Sequence, residues 1–374
     1  MVEIGLQRRI KKFVSRIIES QWTRYFIITS ILQAAIVITL EIRVLLRNDE
    51  SSRNAQSYME ITNLTLEDNG CTIKPSLFRM NNIEEENFIF IIFQIFQMWF
   101  CFTAVYNQNT IQIITLSIIN YLCASFSLVQ VFEVKKWYSD LVIACPGRFD
   151  NLDPHFSYYD VPLMIVLLFF ATIMAFLSWK LYRQFGWNIY RKIGADIKIQ
   201  SMYKTMLIFV MLLKLDLFFI QLLCLEGCTV YLVNIGRNRP TTPDHMRYIP
   251  SPFFFFHICV TVLVGFTQLL AYRSLRKEYK IGMIIVAILW VVFCVDLIII
   301  AKYSIRTVQD SWFFFIIFLF FGVIMCMLSF IWTIFVLKNF GQGLQTHVEE
   351  AKKSYRISTL PLPSTTCKRW PIED

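Results

Sequence analysis

Residues 88–132 read FIFIIFQIFQMWFCFTAVYNQNTIQIITLSIINYLCASFSLVQVF. Two apolar runs, 88–106 and 110–132, are separated by Asn107, Gln108 and Asn109. Each run is long enough to cross a hydrocarbon core about 30 Å thick at about 1.5 Å per helical residue. Three polar residues leave room for a tight turn and little else, so the stretch predicts an antiparallel membrane hairpin.

The remainder of the chain repeats this pattern. Of 374 residues, 56% are hydrophobic, with 12 Gly and 11 Pro, which is more apolar surface than a soluble domain can bury. Further runs of membrane length occupy residues 25–46, 162–179, 205–235, 252–272, 281–301 and 312–337. The expected fold is an all-α integral membrane protein, a bundle of about eight transmembrane helices over residues 25–337. A basic segment, 1–24, precedes it, a long connection, 47–87, follows the first span, and a polar tail, 338–374, ends the chain.

Charge placement predicts orientation, because basic connections resist translocation. Of the 36 Lys and Arg, 22 fall at the two ends and in the fourth and sixth connections, 12 on the other side, and Arg43 and Lys214 within spans. Both termini are therefore expected in the cytosol, with residues 47–87 in the lumen. This asymmetry accounts for most of the net charge of +9, which then carries no implication of nucleic-acid binding. Apolar residues Ile10, Phe13, Val14, Ile17 and Ile18 recur at helical spacing opposite basic ones, as do Trp187, Tyr190, Ile193 and Ile197. Such faces suit a helix lying against the bilayer and in contact with anionic lipid headgroups. The basic segment is followed by a run too long for a cleavable leader, which makes the first span a signal anchor.

Two features of the expected lumenal connections agree with this topology. Asn63-Leu64-Thr65 is an N-glycosylation sequon. Cys71 and Cys145 are the two cysteines outside the spans on that side, where an oxidising compartment permits a disulfide between them. Cys224 and Cys228 lie one turn apart, but no His or carboxylate pattern completes a metal site.

Within the spans, a few charges stand out. Counting from the cytosolic side, Lys214 and Asp216 lie roughly 14–17 Å deep and Asp296 roughly 22 Å deep. Lys214 and Asp216, two residues apart, point in different directions, so a Lys214–Asp296 pair is the expected solution. Glu41 joins them in the candidate intramembrane polar site, with Gln94, Gln97, Asn120 and Gln221 as further polar groups. Ionisable groups at this depth cost about 2.5 kcal/mol or more against lipid, so all should face the bundle interior. Two readings stand: a mid-membrane site for small-solute or proton-coupled transport, or a structural charge cluster in a non-catalytic trafficking or membrane-organising protein. No HExxH, GxSxG or phosphate-binding glycine loop occurs, and His155, His245, His257 and His347 are scattered, so neither enzyme, metal nor cofactor is expected. His257, near the lumenal end of its span, is expected to pack at the interface. No internal sequence repeat stands out.

The segments ENFIFIIFQIFQ (86–97), QNTIQIITLSIIN (108–120), WNIYRKIGADIKIQSMYKTMLIFVMLLKLDLFF (187–219) and NFGQGL (339–344) resemble a fungal family of uncharacterised Golgi apparatus multi-pass membrane proteins. The resemblance covers roughly residues 86–344. It implies a Golgi membrane location and brings no activity with it.

Overall fold

The computed structural model describes residues 20–61, 74–144, 156–193, 197–236, 251–304 and 312–342. These form eight helices: α1 (Gln21–Ile61), α2 (Lys74–Asn107), α3 (Thr110–Ala144), α4 (Phe156–Ile193), α5 (Ile197–Gly236), α6 (Ser251–Lys277), α7 (Lys280–Ser304) and α8 (Phe313–Asn339). All eight are long and apolar enough to cross a membrane. In lipid no water can satisfy backbone amides, so each run closes its own hydrogen bonds as a helix. The expected span count holds. Several helices run beyond the expected spans: α5 starts at Ile197 rather than near Thr205, and α1 continues to Ile61.

Large apolar side chains point outward along the whole bundle, among them Phe169, Phe266, Leu269 and Phe320, each more than half exposed. In water such a girdle would drive aggregation, whereas in a bilayer it is the lipid contact. At the end where α1 starts, Lys180 lies 5.4 Å from the Trp22 ring and 4.8 Å from the Trp179 ring. Trp and Lys at that level match the headgroup boundary.

The helices assemble as two four-membered rings. In the first, α1 packs on α2, α2 on α3, α3 on α4 and α4 back on α1; in the second, α5 to α8 repeat the same cycle. The rings meet along a seam where α2 and α3 face α5, and α3 faces α8.

Corresponding hairpins in the two rings turn in the same way. Gln108 (φ 51°) ends α2 and Glu278 (φ 49°) ends α6 in the left-handed region. Asn109 N–H then donates to the Ala104 carbonyl at 3.0 Å, and Tyr279 N–H to the Ser274 carbonyl at 3.0 Å. Both are six-to-one helix terminations that satisfy an orphan carbonyl and let the next helix start at once. The chain thus has an architectural repeat that its sequence does not show.

The terminal face, which carries Gln21, both two-residue turns and the end of α8, is one end of the bundle; the opposite face is the other. The first ring is tied by buried amides: Gln33 Nε2 donates to Gln97 Oε1 at 3.0 Å and to Asn120 Oδ1 at 3.4 Å, and Gln130 donates to Asn87 at 2.6 Å. In the second ring a stripe of small residues on α8 admits α5. A Cβ on Gly322 would stand 2.9 Å from Leu223.

Candidate functional site between the two rings

At the terminal face the rings part. The seam there holds a cavity of about 510 Å³, walled by the α2–α3 turn, the first half of α5, the end of α6 and the end of α8. Asn107, Asn109, Gln112, Tyr203, Thr205, Tyr272, Arg276, Glu278 and Asn339 supply its polar lining. Lys214 is the lining residue furthest along α5, which places it about 18 Å beyond Met202 at the helical rise and makes it the floor.

Lys214 sits half-buried between the rings. Its Nζ donates to Thr103 Oγ1 of α2 at 3.1 Å and lies 5.5 Å from the Trp99 ring and 5.9 Å from the Phe100 ring. Gln112 Nε2 donates to the same hydroxyl at 3.3 Å. Among the described residues no carboxylate forms an ion pair with Lys214. The expected Lys214–Asp296 pair is therefore replaced by a hydroxyl and two aromatic faces. The reason is azimuth: Lys214 faces α2, whereas α7, which carries Asp296, packs on α6 and α8.

Asp296 has a different partner. His257 Nδ1 lies 2.8 Å from Asp296 Oδ2, and His257 Nε2 lies 3.1 Å from the Cys224 carbonyl. A carbonyl can only accept, so Nε2 donates to it, and α5, α6 and α7 are joined through one ring. His257 is buried rather than interfacial, a correction to its expected role. The depth count held the clue, since His257 enters α6 from the opposite face about as far as Asp296 lies from the end of α7. Asp216 faces away from the cavity and accepts from Ser329 Oγ at 2.5 Å inside the second ring. Glu41 is fully buried in the first ring, where neither of its carboxyl oxygens has a hydrogen-bond partner among the described residues. Lys214, Asp216, Asp296 and Glu41 therefore occupy four separate environments, and of these four only Lys214 lines the cavity.

At the opposite face the described residues bond the two rings together. Trp312 Nε1, just before α8, donates to Glu86 Oε1 of α2 at 2.7 Å, and Glu133 Oε1 of α3 accepts the Phe314 backbone N–H at 2.7 Å. The second contact caps the first turn of α8 from the other ring, where an orphan amide and the positive end of the helix dipole both favour a carboxylate. Arg47 pairs with Asp160 near this face, joining α1 to α4. Glu86, Glu133, Arg47 and Asp160 all flank the apolar runs in sequence, where such residues are read as boundary markers rather than partners. Asn63, Cys71, Cys145 and the amphipathic segment before residue 20 lie outside the described residues.

No family profile and no solved structure matches the chain. A UPF0658 Golgi apparatus membrane protein of Schizosaccharomyces pombe is 24% identical over an alignment of 232 residues, covering 51% of this chain. The chain spans 65% of that relative's length. The relative is an uncharacterised fungal Golgi membrane protein, the kind that the sequence resembles. With eight helices of membrane length, the likeness gives this chain a Golgi apparatus membrane location and a multi-pass topology.

Proposed function

We propose that this protein is a non-catalytic carrier that moves a small solute across the Golgi membrane by alternately opening the seam between its two rings. One observation carries the reading: among the described residues, the seam holds a polar cavity at the terminal face and is bonded across by Glu86–Trp312 and Glu133–Phe314 at the opposite face. Two similar helical halves about a central site are the architecture of alternating access, with both halves pointing the same way through the membrane. Basic residues cluster at the terminal face, so that face is cytosolic and the cavity opens to the cytosol.

The test is uptake by proteoliposomes containing the full chain. Solute entry above protein-free vesicles that falls at least tenfold with Lys214→Met supports the carrier. Absence of uptake for every solute class tried, together with stable co-purification of partners, favours a membrane-organising role. That second reading draws support from Asp216 and Asp296, which are paired with Ser329 and His257 inside the second ring as structural ties would be.

A further inference from the structure

The carrier reading leaves the solute unnamed, and this inference rests on that reading. We propose that the solute carries an anionic oxygen group, a carboxylate or a phosphate, and that Lys214 is its counter-ion at the cavity floor.

An ammonium deep in a bilayer needs either water or an opposite charge, because its desolvation is not offset by neutral partners. Lys214 has one hydroxyl and two ring faces, and that hydroxyl is shared with Gln112. An anion entering the cavity supplies the missing charge. A cationic solute would instead meet Lys214 at the floor and Arg276 on the wall. The carboxylate in the lining, Glu278, accepts the Gly341 backbone N–H at 3.3 Å beside the mouth, far along the cavity from Lys214.

The neutral lining is mixed: Gln112 spends Nε2 on Thr103 and keeps a carbonyl oxygen without a hydrogen-bond partner among the described residues, whereas Asn109 offers a donor. Asn109 uses its carbonyl oxygen to cap α3, accepting from Ile111 N–H at 3.1 Å and Gln112 N–H at 3.3 Å, so the group left to it is an NH₂. The volume of about 510 Å³ lies in the range of small-molecule sites, roughly 300–1,000 Å³.

Anion binding has a mechanical consequence. Lys214 belongs to the second ring and Thr103 to the first, so an anion that takes the Lys214 protons competes with a hydrogen bond across the seam. Occupancy thereby loosens one tie between the rings, which couples the solute to their motion.

Free solute and an anionic lipid headgroup present the same chemistry, and the experiment separates them. Full-length protein in nanodiscs of phosphatidylcholine is titrated with sodium phosphate, sodium citrate, glucose or choline at constant ionic strength, and its thermal midpoint is recorded. The expected result is a midpoint raised by phosphate or citrate in the wild type and in Lys214→Arg, and a response at least tenfold weaker in Lys214→Met. A Lys214-dependent rise seen only when phosphatidylserine is added to the nanodisc still supports an anion and assigns it to the headgroup. Stabilisation by glucose or choline that survives in Lys214→Met overturns the anion assignment, as does the absence of any anion response in the wild type. If uptake of a neutral or cationic solute then persists in proteoliposomes, the carrier reading stands without the anion; if no solute is taken up, both fail.

Discussion

Lys214 of α5 donates to Thr103 of α2 across the seam at 3.1 Å, so the deepest cation of the cavity is held by a neutral hydroxyl from the other ring. A single such bond between neutral and charged partners contributes about 1.5–3 kcal/mol at most in a buried setting, and about 0.6 kcal/mol on average inside membranes. Thr103→Val should cost about 0.5–1.5 kcal/mol of stability. A double-mutant cycle with Lys214→Met should recover most of that cost as coupling. Unfolding in mixed micelles measures it, and strict additivity would show that the two side chains do not interact.

The His257–Asp296 pair bonds three helices of the second ring. His257→Ala leaves a buried carboxyl without its partner and should destabilise by about 2 kcal/mol or more. Gly227→Ala should act on the same contact indirectly, because a Cβ there would stand 2.7 Å from His257 Nε2 and push the ring from its place. The two substitutions should be non-additive in a melt followed by tryptophan fluorescence. Independent effects would mean that Gly227 serves some other packing.

At the opposite face, Glu133→Gln combined with Trp312→Phe removes a charge-assisted cap and an indole donor, weakening the closed seam by about 1–3 kcal/mol. Phe90 lies buried beneath this closure with its ring 5.8 Å from that of Phe314. A cysteine at Phe90 should react slowly with a water-soluble thiol reagent in the wild-type background and at least fivefold faster in the double variant, since 1 kcal/mol is a factor of about five in an opening equilibrium. Equal rates would show that these contacts do not hold the face shut.

Orientation is open to a direct check. With the other reactive thiols replaced, Asn339→Cys on the terminal face should be labelled by an impermeant reagent from the cytosol, and Tyr158→Cys, strongly exposed near the opposite face, only after the membrane is opened. The reverse pattern would invert the cavity, making it lumenal, and would break the basic-inside argument.

Hydropathy along the chain was enough to give eight runs of membrane length, their order and the hairpin at 107–109, because lipid forces each apolar run to complete its own backbone hydrogen bonds. The same one-dimensional count gave depth, and it set Asp296 near the level of Lys214 and His257 at the interface, whereas the structure joins Asp296 to His257. Depth is linear in residue number, whereas the direction in which a side chain leaves its helix matters only once the neighbours are known. Packing alone determined that Lys214 meets Thr103 and that Asp216 meets Ser329. It likewise left Glu41 apart from the other three and divided the helices into two alike rings. Those partners lie up to 226 residues apart in the chain, as Glu86 and Trp312 do. No local pattern encodes such a distance, and the contact exists only when both rings have formed.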